Sequence, residues 1–362
     1  MKIVIDARES GTSTGRYIDK LIENLHILKP EHEFVILTKS HRLDYVRQIA
    51  AEFTVVESNF KEFTFAEQLG FKKQIESLGA DLVHFGMVQQ PVLYRGRVVT
   101  TMHDLTTVRF KNPAKNPIVY GIKQQVYKWV NKRVAHKSQA ILVATQYVKD
   151  DVVKFTGINP EKVTVTYESA DPIMAAPESM PNLENKKFIM YLGRPTPHKN
   201  LERLVQAFAI IKKSHPDMFL VLAGKKDFNY NRIEKSVQKA NINDVIFTDF
   251  ISEGQLRWLY ENTAAYVFPS LSEGFGLPGL EAMAHKSPVV SSNATCLPEV
   301  YRDAALYFDP LSVDDMAAKI TEVIDSPALR QKLISAGTAL LPHYSWRKMA
   351  EETLTVYEKT IV

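Results

Sequence analysis

Short apolar runs rich in β-branched residues alternate with helical patterns along almost the whole 362-residue chain. The sequence predicts strands at Lys2–Asp6, Val98–Met102 and Phe188–Leu192, among others, and a helical segment follows most of them. Such alternation is typical of βαβ units, which build parallel sheets with helices packed on them. The sequence therefore predicts an α/β protein.

A break in this alternation divides the chain. The segment 171–187 contains three prolines and little periodicity, so we interpret it as a linker. We predict one doubly wound, Rossmann-like domain at residues 1–170 and a second at 171–344, each long enough to bury its own core. Ligands of open α/β sheets bind beyond the carboxyl ends of the strands, so we expect a cleft between the two domains.

Composition limits the class of protein further. Apolar residues make up 45% of the chain and charged residues 24%, which are ordinary values for a globular protein. The single cysteine, Cys296, excludes a disulfide within the chain and favours a reducing compartment. The N-terminus lacks a signal-peptide pattern, and no apolar run approaches the roughly 20 residues that a membrane-spanning helix needs. We therefore expect a cytoplasmic protein.

The segment Ser270–Ala284, SLSEGFGLPGLEAMA, carries the most informative group of residues. It follows a predicted strand, and its glycines allow the backbone to approach a ligand closely. A helix that begins near Pro278 would present free N–H groups to an anion. Two carboxylates, Glu273 and Glu281, flank the turn and suit the paired hydroxyls of a sugar. Taken alone, the same residues fit an ordinary turn equally well, with Glu281 merely favouring a helix N-terminus.

This segment resembles the signature of the retaining glycosyltransferase family 4, whose members have the GT-B fold of two Rossmann-like domains. The resemblance implies that Glu273 contacts hydroxyls of the donor sugar and that Glu281 holds the ribose. It also implies that backbone N–H groups of the turn line the sugar and the phosphates. The residues of the turn assigned to catalysis or donor binding are Glu273, Gly274, Phe275, Gly276, Leu277 and Glu281.

Two cations lie earlier in the second domain, in a segment that also resembles the family. Arg194 and Lys199 come just after a predicted strand and before a helix. The resemblance implies that both stabilise the charge of the departing diphosphate, so we assign them a catalytic role. Without the glutamate pair downstream, two solvated surface cations would explain the same pattern.

The resemblance supplies two further donor contacts in this domain. Thr295 falls in the loop on the phosphate side, where it either donates to phosphate or caps the helix before Pro298. Phe250 and Ile251 occupy the positions where the family contacts the base through its backbone. Asp249 stands where the family often has glycine, a departure that affects base recognition.

In the first domain the resemblance points to a histidine, a glycine and the terminal helix. His103, at the carboxyl end of a predicted strand, is implied to contact the transferred sugar near the reacting carbon, although a lone histidine is usually structural. Gly15 belongs to the loop after the first strand, which lacks a dinucleotide fingerprint and is implied to lie beside the donor phosphates. The helix at 345–362 is implied to cross back onto the first domain.

These features together predict a hexosyltransferase that needs no metal and no cofactor. The sequence contains no D-x-D pair and no cluster of metal-ligand type. By resemblance we expect retention at the anomeric carbon, with the donor phosphate as base. The resemblance is to bacterial mannosyltransferases of surface polysaccharide assembly, so we expect GDP-mannose or, second, a UDP-hexose, and a glycan or lipid-linked acceptor. The alternatives are a nucleotide-sugar epimerase of the same fold and a non-catalytic sugar-nucleotide-binding protein.

A basic segment, Leu105–Lys149, contains no Asp or Glu. We hypothesise that it contacts an anionic membrane surface peripherally, and we expect no nucleic acid partner. The equal alternative is a solvated basic helix with Trp129 buried in the core. An apolar stripe predicted to pack on the sheet comprises Ile118, Ile122, Val126, Val130 and Val134. The basic residues are Arg109, Lys111, Lys115, Lys123, Lys128, Lys132, Arg133, Lys137 and Lys149.

Overall fold

The computed structural model describes residues 1–12, 14–110 and 117–361. By its contacts the chain divides into two compact units. The described residues of the first belong to Met1–Val108, Gly121–Glu168 and the terminal segment from Ser345. Those of the second belong to Arg109–Tyr120 and Ser169–Tyr344.

A seven-stranded parallel sheet forms the centre of the first unit, with the order β3-β2-β1-β4-β5-β6-β7. The two central strands β4 and β5 are buried along their whole length, as expected of a parallel sheet covered on both faces. The strand order reverses between β1 and β4. The strands are β1 (Lys2–Asp6), β2 (Glu33–Thr38), β3 (Thr54–Glu57), β4 (Leu82–Phe85), β5 (Val98–Thr101), β6 (Ala140–Val143) and β7 (Val163–Val165).

Helices connect these strands, and their ends follow from local sequence. In α6 the Thr145 side chain accepts a hydrogen bond from the Val148 N–H, and Gly157 ends the helix in the left-handed conformation. A π-helical turn at Glu67–Phe71 leads directly into α3. The helices are α1 (Gly15–Leu28), α2 (Leu43–Ile49), α3 (Lys72–Ser77), α4 (Thr106–Arg109), α5 (Pro117–Lys137) and α6 (Gln146–Thr156).

The second unit contains a six-stranded parallel sheet with the order β10-β9-β8-β11-β12-β13, which reverses between β8 and β11. The predicted architecture of two Rossmann-like parallel sheets is therefore confirmed. The strands are β8 (Lys187–Leu192), β9 (Met218–Ala223), β10 (Val245–Phe247), β11 (Ala265–Phe268), β12 (Val289–Ser292) and β13 (Ala305–Phe308). The helices are α7 (Leu201–Ser214), α8 (Phe228–Lys239), α9 (Glu253–Asn262), α10 (Leu277–Ala284), α11 (Leu297–Tyr301), α12 (Val313–Asp325) and α13 (Pro327–Leu340).

The terminal helix α14 (Trp346–Ile361) belongs to the first unit and packs against α1. Its Tyr357 hydroxyl lies 2.6 Å from Nδ1 of His84 on β4, and Nε2 of the same ring lies 2.9 Å from the Thr101 hydroxyl. Burial, with a smaller effect from the charge of His103, lowers the pKa of His84 to about 3. The ring is therefore neutral, with one donor and one acceptor nitrogen for two hydroxyl partners.

Helix α5 departs from its predicted orientation. Val134 is buried, but Ile122 and Val126 are 64% and 54% exposed and Trp129 is 57% exposed. A repeat of four residues advances by about 40° per step around a helix of 3.6 residues per turn, so the stripe rotates away from the sheet. The predicted packing of the whole stripe and the burial of Trp129 are both wrong. Lys111, Lys115 and the side chain of Ile118 lie outside the described residues.

No helix in the part of the chain that the structure describes combines the length and the apolar character needed to cross a bilayer.

Candidate functional site

The loops after β8 and β11 meet at the point where the strand order of the second sheet reverses. Such a reversal is the usual ligand position in an open α/β sheet. The first loop carries Lys199 and the second carries Glu273, and the Lys199 ammonium donates to the Glu273 carboxylate at 2.6 Å. Both side chains are largely buried, at 19% and 12% exposure. Two residues that are distant in sequence thus form one ion pair at this edge.

Backbone contacts fix the position of this pair. The Leu271 N–H donates to the His198 carbonyl at 2.7 Å, which joins the two loops directly. The Asn200 side-chain amide donates to the carbonyls of Pro269 and Pro310, at 3.0 and 2.8 Å. Asn200 itself has a left-handed φ of 61°, a conformation that asparagine tolerates better than most residues, and it begins α7. The loops, and not the ion pair alone, hold the site together.

Arg194 differs from Lys199 in its surroundings. It follows β8 and is exposed, and it makes no ion pair with a carboxylate within the described ranges. Its guanidinium is available to an anion that binds at the end of the strand. The structure therefore brings Lys199 and Glu273 together and leaves Arg194 facing solvent.

The turn between Glu273 and α10 is shaped by a buried tyrosine. Gly276 has a φ of 99° and caps α10. The Tyr301 hydroxyl donates to the Gly276 carbonyl at 2.5 Å. A Cβ atom on Gly276 would lie 2.5 Å from this hydroxyl oxygen, and one on Gly279 would lie 2.3 Å from it. Two of the glycines predicted to allow close approach of a ligand are thus required by the packing of Tyr301, which the sequence analysis did not identify.

Two further side chains of this segment, those of Phe275 and Glu281, are buried. The Phe275 ring is 4% exposed and packs edge-on against Tyr344, with centroids 5.5 Å apart. Any contact of Phe275 with a ligand must therefore use its backbone. Leu277 is the first residue of α10, so its N–H has no partner within the helix, whereas Pro278 has no N–H and the Gly279 N–H donates to the Gly276 carbonyl at 3.1 Å. Glu281 lies on the buried side of α10, with its carboxylate 3.4 Å from the Tyr260 hydroxyl.

Thr295 occupies an unusual backbone conformation next to this turn. Its φ is 54°, in the left-handed region that β-branched residues rarely adopt and that costs about 1–3 kcal/mol. The Thr295 hydroxyl accepts a hydrogen bond from the Glu273 N–H at 3.1 Å. Helix α11 has Cys296 at its N-cap without a side-chain cap, so the alternative capping role of Thr295 is not found. Thr295 instead supports the backbone of Glu273.

The loops after β9 and β10 lie at the same end of the second sheet. Asp249 has a φ of 60°, the conformation that a glycine would supply there, and its carboxylate accepts a hydrogen bond from the Lys226 N–H at 2.8 Å. Phe250 follows and is 82% exposed, and Ile251 is half-buried. The departure from the family at Asp249 therefore changes the side chain and keeps a left-handed backbone.

In the first unit, His103 lies just beyond β5 with an acceptor at each ring nitrogen. Nε2 is 3.0 Å from the Gly86 carbonyl, and Nδ1 is 3.5 Å from the Glu168 carboxylate. Burial lowers the pKa of His103, but the hydrogen bond to Glu168 and the charge of that carboxylate raise it further, so the net pKa lies above the ordinary value. Two acceptors and a raised pKa favour the imidazolium, which can donate from both nitrogens.

Gly15 begins α1 and is buried. A Cβ atom there would lie 1.8 Å from the Glu9 carbonyl oxygen, so the glycine allows the loop after β1 to fold back on the helix start. Within the described residues, no group of three or more His, Cys, Asp or Glu side chains is arranged to hold a metal ion.

Comparison with known proteins identifies the family. The family model described as "Glycosyltransferase Family 4" matches residues 14–173, and that described as "Glycosyl transferases group 1" matches residues 172–339. Together they span both units. The chain belongs to the family 4 glycosyltransferases. O-antigen chain mannosyltransferase B of Escherichia coli is 29% identical over 276 residues, which cover 72% of this glycosyltransferase and 70% of that protein.

The comparisons also found a second mannosyltransferase and two solved structures of the same fold. MMP alpha-(1->4)-mannosyltransferase of Mycolicibacterium hassiacum is 28% identical to the glycosyltransferase, over 79% of this chain and 69% of that protein. Sucrose-phosphate synthase from Thermosynechococcus elongatus shares the fold with a TM-score of 0.76 and 17% identity, over 99% and 98% of the two chains. Anabaena HepE in complex with UDP and glucose gives the same TM-score at 15% identity, over 99% and 100%.

The glycosyltransferase also contains a buried ion cluster that the sequence analysis missed. Arg8, after β1, donates to Asp6 at 2.8 Å and to Glu67 at 2.9 Å, and all three side chains are nearly inaccessible. A small cavity beside the cluster is lined by Arg8, Glu9 and Gly86, where the strand order of the first sheet reverses. No spacing in the sequence pairs Arg8 with Glu67, because the π-helical turn that carries Glu67 is 59 positions away.

Proposed function

We propose that this glycosyltransferase transfers mannose from GDP-mannose to a hydroxyl of a glycan or lipid-linked acceptor, with retention and without a metal ion. The Lys199–Glu273 pair at the reversal of the second sheet carries the proposal. The names of the two relatives described above, both mannosyltransferases, support mannose as the sugar. The name of the E. coli relative also favours a role in polysaccharide synthesis.

Glu273 is proposed to accept hydrogen bonds from hydroxyls of the donor sugar. Its carboxylate has two oxygens with about four acceptor positions, and Lys199 occupies one of them. The Lys199 ammonium has three donors, so it can hold Glu273 and a phosphate oxygen together. The ion pair thus fixes the carboxylate before the donor arrives, without consuming its capacity.

The diphosphate is proposed to lie between the cations and the start of α10. Lys199 supplies a largely buried positive charge, Arg194 an exposed one, and the N-terminus of α10 the positive end of a helix dipole. All three oppose the negative charge that grows on the leaving group. In general, one positioned group of this kind is worth a factor of about 10²–10³ in rate.

Retention is proposed to proceed with the donor phosphate as base for the acceptor hydroxyl. His103 is proposed to contact the transferred sugar. Both ring nitrogens are engaged, by the Gly86 carbonyl and the Glu168 carboxylate, so an imidazolium would act through its positive charge beside the sugar and would not act as a base.

The experiment incubates the protein with a panel of nucleotide sugars and measures the free nucleotide released. We expect release from GDP-mannose, undiminished by EDTA, and products of retained configuration by NMR once an acceptor is found. Glu273→Gln should lower kcat about 10²–10³-fold. Glu281→Gln should chiefly raise KM for the donor. Glu322→Gln, which breaks an exposed ion pair with Lys319 on α12, is the matched control and should behave as wild type.

Several results would contradict the proposal. Wild-type turnover in a folded Glu273→Gln protein would remove the assigned role of that carboxylate. Loss of activity with EDTA, restored by a divalent ion, would show that the site uses a metal. Conversion of the nucleotide sugar to its epimer would identify an epimerase, and tight donor binding without turnover would identify a binding protein.

A further inference from the structure

Helix α5 carries apolar side chains on two opposite faces. Val134 and Ala135 face the core and are fully buried. Ile122, Val126 and Trp129 share the opposite face, because residues three and four positions apart lie on the same side of a helix. A soluble helix normally keeps its outer face polar, so this outer face needs a partner.

A second segment adds exposed apolar residues beside this helix. Phe63, Phe65 and Leu69, between β3 and α3, are 67%, 87% and 62% exposed. The Phe63 ring lies 6.4 Å from the ring of Tyr127 on α5, so the segment and the helix are neighbours. Tyr127 lies about 100° around α5 from Val126, so the segment flanks the exposed side of the helix. We use the name apolar face for the six exposed residues on the helix and on this flanking segment: Phe63, Phe65, Leu69, Ile122, Val126 and Trp129.

The charge around the apolar face is positive. Lys61, Lys123 and Arg133 are exposed next to it, whereas the sequence from Leu105 to Lys149 contains no carboxylate. The two glutamates between Lys61 and Leu69 are already engaged. Glu62 is bound by Lys39 at 2.8 Å and Glu67 is buried against Arg8.

We propose that the apolar face docks on an anionic lipid bilayer. Exposed aromatic rings surrounded by Lys and Arg match the interfacial region of such a bilayer, where the rings insert and the basic groups meet the headgroups. A second copy of this chain would place like charges opposite one another across a twofold axis, which disfavours self-association through this face. The proposal extends the proposed function, since it would bring the protein to an acceptor carried on lipid.

The test is flotation of the full chain with phosphatidylcholine vesicles, with and without phosphatidylglycerol. We expect recovery with the anionic vesicles only, reduced when salt shortens the Debye length below its value of about 10 Å at 0.1 M. Lys123→Glu with Arg133→Glu should weaken binding about 25-fold or more, at about fivefold for each basic residue lost. Phe65→Ser with Trp129→Ser should also weaken it.

Matched controls keep the test interpretable. Phe228→Ser removes a ring of similar exposure, 61%, from α8 in the second unit and should leave flotation unchanged. Release of GDP from GDP-mannose by each variant is measured separately and should equal wild type, so a failure of the proposed donor does not affect the vesicle result. Equal recovery on neutral and anionic vesicles, or no recovery on either, would overturn the proposal. A dimer in sedimentation velocity that Trp129→Ser converts to monomer would also overturn it.

Discussion

Replacement of Gly279 by alanine tests whether the glycines of the donor-site turn serve packing or ligand approach. A Cβ atom at this position would lie 2.3, 2.4 and 2.9 Å from three atoms of the Tyr301 side chain. Tyr301 is fully buried and its hydroxyl is held by the Gly276 carbonyl, so the ring cannot move aside without disturbing the turn. Alanine is therefore expected to overpack the site.

The structure gives the size of the effect. Overpacking of a core typically costs about 1–3 kcal/mol, and three contacts below 3 Å with a fixed ring favour the upper end. Alanine regains at most about 1 kcal/mol of helix propensity. A net loss of about 2 kcal/mol would lower Tm by about 4–8 °C in a domain of this size.

Gly121→Ala is the matched control, measured by calorimetry or circular dichroism beside Gly279→Ala. Gly121 lies in α5, and a Cβ atom there would meet no other atom within 4 Å. The same substitution should therefore stabilise the protein at Gly121 by up to about 1 kcal/mol. If Gly279→Ala instead left Tm unchanged and raised only the KM for the donor, the packing explanation would be wrong and ligand approach would be the reason for the glycine.

Two further predictions concern the first unit. Glu168→Gln should lower the pKa of His103, as measured by NMR titration of the ring. The pKa of His103 is raised in the folded state, so its interaction with Glu168 stabilises the fold fully below the ordinary histidine pKa. This stabilisation is lost as pH rises through the raised value. Glu168→Gln should therefore reduce the change of Tm with pH in that interval. Arg8→Met leaves two buried carboxylates without their cation and should cost about 3–5 kcal/mol in denaturant unfolding. An Arg8→Met protein as stable as wild type would refute the structural role of the cluster.

The fold was predictable because buried parallel strands are nearly continuous apolar runs. Strand β1 is found at the predicted residues, Lys2–Asp6, and four of its five residues are buried. The two strands that the sequence analysis missed, β7 and β13, lie at the edges of their sheets. Both are short and only partly buried, so neither carries the apolar signal that identified the central strands.

The chemistry of the candidate site was more predictable than its geometry. Residue types and a family resemblance were enough to single out Lys199 and Glu273, but their pairing depends on which strands become neighbours. Chain order places β8 and β11 three strands apart, and only the reversal of the sheet makes them adjacent. Residues that act by supporting others, such as Tyr301 and Glu168, have no signature in the sequence, because their roles depend on contacts formed after folding.

Asp249 shows how a departure from a family pattern can be conservative in physical terms. Glycine is common at such a position because it adopts positive φ without steric cost. Aspartate is among the residues that tolerate this region, since its short side chain can bond to nearby backbone, and here it does so with the Lys226 N–H at 2.8 Å. The backbone of Phe250 and Ile251, through which the base contact is proposed, therefore follows a residue with φ 60° in place of glycine. The added carboxylate of Asp249 binds the loop after β9. The change at Asp249 is therefore compatible with a base contact that uses only the backbone.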